Sequence, residues 1–188
     1  REQNEYFKVL FAALEKTLPE SRGKEQHLPY GWVTLKSGKM SSRAGQVVLA
    51  DWLLDEIKKE IDDIMKDSAA RDKEKVAETV AIAAVKYAWL KTGIKNDIVF
   101  DLKESVSLSG DSGPYLLYIV ARIKSILNKS KVSGFKFQVS SSVNEFEKGL
   151  LMKLAEFPEA AQCAGESLDP SILAHYLFGL AQLFNSFY

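Results

Sequence analysis

The sequence predicts a mostly α-helical fold, on three observations. Apolar residues recur at intervals of three and four through most of the 188 residues. A single stretch, residues 30–36, carries the β-branched and aromatic run of a strand. Hydrophobic residues make up 46% of the chain, enough for a sizeable core in one or two domains.

Taken in order, residues 5–18 place Phe7, Leu10, Phe11, Leu14 and Leu18 on one helical face. The strand Tyr30-Gly31-Trp32-Val33-Thr34-Leu35-Lys36 follows, closed by the turn pair Ser37-Gly38. Asp51 is placed to cap a helix that buries Leu53, Leu54, Ile57, Ile61 and Ile64 and turns Glu56, Lys59, Glu60 and Asp63 to water. A helix from about residue 71 presents Val76, Val80, Ala83, Tyr87 and Leu90 and ends at Thr92-Gly93. Residues 97–100 read as a short extended link. Ser112-Gly113-Pro114 then opens a helix with Leu116, Val120, Ile123 and Leu127 inward. Phe146, Leu150, Leu151 and Leu154 mark another helix before Phe157-Pro158, and residues 130–143, rich in Ser and Lys, read as a surface loop. The last helix starts at Asp169-Pro170, a capping side chain and a residue suited to a first helical turn, and runs through Leu173, Leu177, Leu180 and Phe184. The polar stretch 66–72 is the expected domain boundary, dividing the chain into residues 1–68 and 69–188.

Composition narrows the function. A formal net charge of zero excludes a wholesale electrostatic grip on nucleic acid, so any RNA contact is a local patch. One cysteine, Cys163, permits no internal disulfide, fits a reducing compartment and is expected in the core. No apolar run is long enough to span a bilayer and Arg1-Glu2-Gln3-Asn4 does not open a signal peptide, so no membrane association and a cytoplasmic location are expected. His27 and His175 lack cysteine or carboxylate partners at ligand spacing, which argues against a metal site; His175, beside the leucine stripe, is expected to be structural.

Two places carry candidate chemistry. At the strand end, Gly38-Lys39-Met40-Ser41-Ser42-Arg43-Ala44-Gly45 gathers cations, hydroxyls and glycines. Lys39 and Arg43 offer positive charge, Ser41 and Ser42 offer hydrogen bonds, and Gly45 admits close backbone approach, the set a triphosphate needs. The same composition also suits a solvated hairpin turn. After Pro114, Tyr115, Tyr118, Arg122 and Ser125 share a helical face apart from the Leu and Ile stripe. An aromatic and basic face can stack on splayed bases and pair with phosphates; it can equally pack against neighbouring helices with its hydroxyls at the surface. Asn185 and Tyr188, at the end of the last helix, are candidates for the same RNA surface.

The order of residues resolves part of this. Lys39-Met40-Ser41-Ser42-Arg43 resembles the KMSKS signature of class I aminoacyl-tRNA synthetases, and with Gly45 it is similar to the variant of the arginyl-tRNA synthetase family. His27-Leu28-Pro29-Tyr30-Gly31-Trp32-Val33, Ala84-Val85-Lys86-Tyr87-Ala88, Ser112-Gly113-Pro114-Tyr115-Leu116-Leu117-Tyr118 with Ala121-Arg122, Leu173-Ala174-His175-Tyr176-Leu177 and Phe184-Asn185-Ser186-Phe187-Tyr188 resemble segments of that family in the same order. The departures are Ser42 in place of the second lysine, Ala44 where a lysine is common and Leu117 where a glutamine is common; the HIGH motif is not in the chain.

The resemblance implies the end of a Rossmann-like class I catalytic domain (helix, strand, loop, helix) over residues 1–68, followed by an all-helical anticodon-binding bundle over 69–188 that is incomplete at its C-terminus. It implies an arginine–tRNA ligase whose partners are ATP with Mg²⁺, L-arginine and tRNA(Arg), in a monomeric protein of which this piece alone is inactive. Lys39, Ser41, Ser42 and Arg43 would be catalytic; Lys39, Met40, Ser41, Ser42, Arg43, Trp32 and Val33 would bind ATP; Tyr115, Tyr118, Arg122, Asn185 and Tyr188 would bind tRNA. Two alternatives share these features: a class I synthetase of the cysteine or methionine type, and a non-catalytic helical module that binds RNA or protein.

Overall fold

The computed structural model describes residues 3–36, 50–66, 72–130 and 143–188. In chain order the elements are α1 (Asn4–Thr17), β1 (Val33–Leu35), α2 (Ala50–Ile64), α3 (Lys73–Leu90), β2 (Ile98–Phe100), α4 (Leu102–Ser105), α5 (Gly113–Ser130), α6 (Glu145–Ala155), α7 (Phe157–Ser167) and α8 (Ser171–Phe187). The expected domain boundary, the loop after Ser37 and residues 131–142 of the expected surface loop lie outside the described residues.

β1 and β2 pair in parallel, Val33 with Ile98, Thr34 with Val99 and Leu35 with Phe100. Parallel strands need a long crossover, and here α2 and α3 lie between them in sequence. The strand is shorter than the expected 30–36 because β2, its partner among the described residues, is three residues long; Tyr30 and Trp32 remain 68% and 61% exposed. Gly31 is needed where it stands: its N–H donates to Ile94 O at 3.1 Å, and a Cβ there would lie 1.9 Å from Asn96 O. At the other end, Lys36 N–H donates to Phe100 O, and Lys36 Nζ meets Asp101 Oδ2 at 2.7 Å.

The main core joins Leu53, Ile57 and Ile61 of α2 to Ala77, Ala81, Ala84, Val85 and Ala88 of α3, with Phe100 and Val106 beneath. Ile57 and Phe100 are almost wholly enclosed, each contributing about 1.5–3 kcal/mol by burial. The expected apolar stripes need correction here. α3 buries alanines, while Val76 and Leu90 are 37% and 45% exposed, because it packs against α2 on one side and α5 on another and small side chains permit both approaches. Gly113 shows how close α5 comes: a Cβ there would lie 2.2 Å from Ala83 O. Ile64, at the end of α2, is exposed, as are Val120 and Leu127 of α5 and Leu177 of α8. Asp51 stands inside the first turn of α2.

A second core lies between α5 and α8, where Tyr115, Ile119 and Ala181 pack with Leu116, Ile123, Phe178 and Phe184. Ser112 caps α5 through its hydroxyl, which accepts from Tyr115 N at 3.2 Å and donates to Ser107 O. α6 opens with a capping box of Asn144 and Glu147. α7, not foreseen from the sequence, is stopped by Leu168 in the left-handed region (φ 54°). Asp169 then accepts from Ser171 N at 3.0 Å and turns the chain into α8. α6 and α7 both pack on α8, and Tyr176 Oη donates to Lys153 O at 2.9 Å. Cys163 is exposed, contrary to the core position expected of it, because α7 buries only Ala164. His175 is also exposed, at the rim of a cleft between α6, α7 and α8 that Lys153, Cys163 and Tyr176 line with it.

α1 stands apart. Its stripe is ordered by local ring contacts, Phe7 on Phe11 at 5.8 Å and Phe7 stacked on His27 at 4.2 Å, and it buries none of its residues. Asn4 Oδ1 lies 3.2 Å from His27 Nε2 and ties the returning chain to the helix.

Candidate functional site

The structure brings Tyr118, Arg122, Asn185 and Tyr188 together. Tyr118 and Arg122 lie one turn apart on α5, and Asn185 and Tyr188 come from the end of α8 packed beside it. Arg122 is the hub: its Nη1 donates to Asn185 Oδ1 at 2.7 Å and to Tyr118 Oη at 3.4 Å, and its guanidinium carbon sits 4.3 Å from the centre of the Tyr188 ring. Tyr188 is held in turn by stacking on Phe184, ring centres 6.4 Å apart and planes 8° from parallel. No carboxylate lies within ion-pair distance of Arg122 among the described residues. Among the described residues its charge is thus positioned by neutral partners, and no hydrogen bond engages Nε or Nη2.

Tyr118, Arg122 and Asn185 line a cleft of about 540 Å³ together with Leu108, Ser109, Tyr115, Gln182 and Ser186, and Tyr188 reaches it only through Arg122. Ser125 does not line it. Tyr115 departs from the shared face expected of it. It is only 7% exposed, with its ring against Phe178 at 5.7 Å, and burial holds its phenol above the ordinary tyrosine range. It therefore forms the inner wall of the cleft, not a free stacking platform. Gln182 and Ser186 were not singled out from the sequence, although with Asn185 they form an i, i+3, i+4 polar stripe that periodicity alone displays. Leu108 and Ser109 belong to an irregular loop and had no such signal.

At the other candidate site, Lys39, Met40, Ser41, Ser42 and Arg43 lie outside the described residues. Trp32 and Val33 are described. Trp32 N–H donates to Asp97 Oδ1 at 2.9 Å, its carbonyl accepts from Ile98 N at 2.7 Å, and its indole faces solvent. Val33 is half-buried in β1. Among the described residues no three His, Cys, Asp or Glu side chains converge as a metal site would require, and no helix is long and apolar enough to cross a membrane.

A parallel strand pair with a helical crossover, followed by a helical bundle bearing an aromatic and cationic cleft, has the layout of a class I aminoacyl-tRNA synthetase around its second signature. Residues 1–102 match the family model described as the catalytic domain of class I (R) tRNA synthetases, and residues 116–188 match the DALR anticodon binding domain. The chain belongs to the arginyl-tRNA synthetase family. The arginine–tRNA ligase of Treponema denticola is 40% identical over 198 residues, a match taking in 100% of this chain and 34% of the relative. The Flavobacterium psychrophilum arginine–tRNA ligase is 36% identical over 193 residues, with 100% and 32% covered. The chain thus spans about a third of the length of these curated relatives. Among solved structures, arginyl-tRNA synthetase from Thermus thermophilus matches with a TM-score of 0.76 and 34% identity over 85% of this chain and 26% of that one. Arginyl-tRNA synthetase from Plasmodium falciparum matches with a TM-score of 0.79 over 100% of this chain and 33% of that one; at 22% identity it shows a shared fold.

Proposed function

We propose that the chain is the part of an arginine–tRNA ligase that carries the ATP phosphate loop and most of the anticodon-binding surface. The observation that carries this reading is Arg122, held on the Tyr188 ring by neutral hydrogen-bond partners at the mouth of a cleft, within the segment matched by the anticodon-binding family. A delocalised, unneutralised cation between aromatic rings is suited to an unstacked base and its phosphate, the features of a single-stranded loop. Tyr118 and Tyr188 supply stacking faces, Arg122 and Asn185 the polar contacts, and Tyr115 the wall behind them.

In the activation step a carboxylate oxygen of arginine attacks the α-phosphorus of ATP, and the bond to the β-phosphate bridging oxygen breaks. Arginyl-adenylate forms and pyrophosphate leaves with the bond's electron pair. Lys39 and Arg43 offset the charge growing on that leaving group, while Ser41 and Ser42 donate hydrogen bonds to its oxygens and Met40 completes the loop. Trp32 and Val33, where the strand leads into this loop, border the adenine. The arginyl group then passes to the terminal ribose of tRNA(Arg), with release of AMP. A Mg²⁺ ion carried with ATP would supply further positive charge at the leaving pyrophosphate.

On this reading residues 1–68 serve the nucleotide and 69–188 the RNA, with α3 as the seam, since it packs on both α2 and α5. The protein acts as a monomer in the cytoplasm. Pyrophosphate exchange by the intact protein, measured with each amino acid in turn, tests the reading. Exchange dependent on arginine is expected, and exchange driven by cysteine or methionine, or none with any amino acid, overturns it.

A further inference from the structure

The cleft's outer wall, Leu108 and Ser109, belongs to a loop tied down from behind by three charged or hydroxyl-bearing side chains. Tyr87, on α3 and 7% exposed, donates its hydroxyl to Asp111 Oδ1 at 2.5 Å, and the Tyr87 Oη also lies 3.2 Å from the Ala174 carbonyl oxygen in α8. Lys91, one turn along α3, donates to the Asp111 backbone carbonyl at 2.8 Å and to Glu104 Oε1 at 3.2 Å. Its Nζ also stands 3.7 Å from Asp111 Oδ2. The loop closes on itself between these anchors: Ser112 Oγ donates to Ser107 O, Ser112 N to Gly110 O at 2.9 Å, and Ser109 N to Ser107 Oγ at 3.3 Å. α3, the loop and α8 thus meet at a single buried phenol. None of its partners lines the cleft, whereas the residues it immobilises do.

We infer that Tyr87, Asp111 and Lys91 are positioning residues for RNA recognition: they fix the Leu108–Ser109 wall against Arg122, so that a base enters a preformed slot. The inference rests on the cleft being the RNA surface. Preorganisation has a definite effect. A loop free to move must be ordered again when the ligand arrives, so releasing the tie weakens binding without removing any contact to RNA. Tyr87→Phe removes one oxygen and keeps the ring, which isolates the tie from the packing. Tyr87, Lys91 and Asp111 do not themselves line the cleft, so the effect must travel through the position of Leu108 and Ser109.

A double-mutant cycle on the intact protein tests this, using an RNA hairpin with a single-stranded loop as probe and Arg122→Ala as the direct-contact variant. Tyr87→Phe and Asp111→Asn are each expected to raise Kd about fivefold, the effect of one hydrogen bond. In the Arg122→Ala background the same changes should have little effect, because the slot they shape has lost its principal contact. Circular dichroism reports whether the helices stay intact; if either substitution lowers helix content, Lys91→Met, which frees the same loop from its other side, takes its place in the cycle. Unchanged affinity in Tyr87→Phe and its partners while Arg122→Ala weakens binding overturns the positioning role and leaves the RNA surface in place. Additive losses overturn it too, since they mean a global effect. Wild-type affinity in Arg122→Ala overturns the RNA surface itself and the inference with it.

Discussion

Replacing Gly113 with alanine tests how the two halves of the chain are held together. The added Cβ would lie 2.2 Å from Ala83 O and 2.5 Å from Ala83 C, both backbone atoms of α3, whereas ordinary contacts begin near 3.4 Å. Relief needs a separation of about 1.2 Å between α3 and the first turn of α5, the difference between those distances. Neither partner is a flexible side-chain tip that can swing away, so overpacking of this kind costs about 1–3 kcal/mol. Arg122 lies nine residues along α5, about 13 Å at 1.5 Å per residue, so a tilt at Gly113 also moves the cleft. Native-state amide exchange is the assay: protection in α5 should fall about 10- to 100-fold, with weaker RNA binding alongside. Gly165→Ala is the control, because nothing lies within 4 Å of its new Cβ and an interior helical glycine replaced by alanine should stabilise by up to about 1 kcal/mol. Wild-type protection and RNA affinity in Gly113→Ala would refute the close-approach argument.

Three further predictions follow from particular side chains. Lys39→Ala in the intact protein should lower the adenylation rate about 100-fold while changing tRNA affinity little, and equal effects on both would count against its placement at the leaving pyrophosphate. Hydrogen bonds from Lys36 and from the Glu104 amide, with smaller help from Lys103 N, hold the Asp101 carboxyl below its ordinary range. Its contribution is therefore present above the unfolded value and lost as pH falls through the lower folded one, below about pH 4. A melting curve taken from neutral to acid pH should fall less steeply for Asp101→Asn than for the parent, and identical slopes would remove Asp101 from the acid response. Exposed Cys163 should react with a thiol reagent in the native protein as fast as after unfolding; a lag relieved only by denaturant would place it inside.

Helix positions were legible in the sequence because their signal is local. Residues 5–18 carry their own apolar spacing, and Ser112-Gly113-Pro114 and Asp169-Pro170 carry the turn chemistry that opens α5 and α8; all three helices form there. The faces were less legible. An apolar stripe says that a helix buries something, but α3 packs on both α2 and α5 and buries mainly alanines, a fact of packing that no single-helix pattern contains. The second strand reads alone as an extended link, because pairing between Val33 and Ile98 depends on residues 65 positions apart. At the cleft, Tyr118, Arg122, Asn185 and Tyr188 were foreseen as candidates. What the sequence lacked was their convergence, which needs α5 and α8 to pack side by side. Tyr115 shows the limit: spacing put it with Tyr118, while packing against Phe178 turned it inward.

Whether the Arg122 cleft reads an anticodon loop is measured by the affinity of the intact protein for tRNA(Arg) with its own and with a replaced anticodon loop. Replacing the loop should weaken binding to the parent protein about tenfold or more and leave Arg122→Ala, already weakened, indifferent to the change. Equal affinity of the parent for both RNAs, or undiminished loop discrimination by Arg122→Ala, would contradict that role of the cleft.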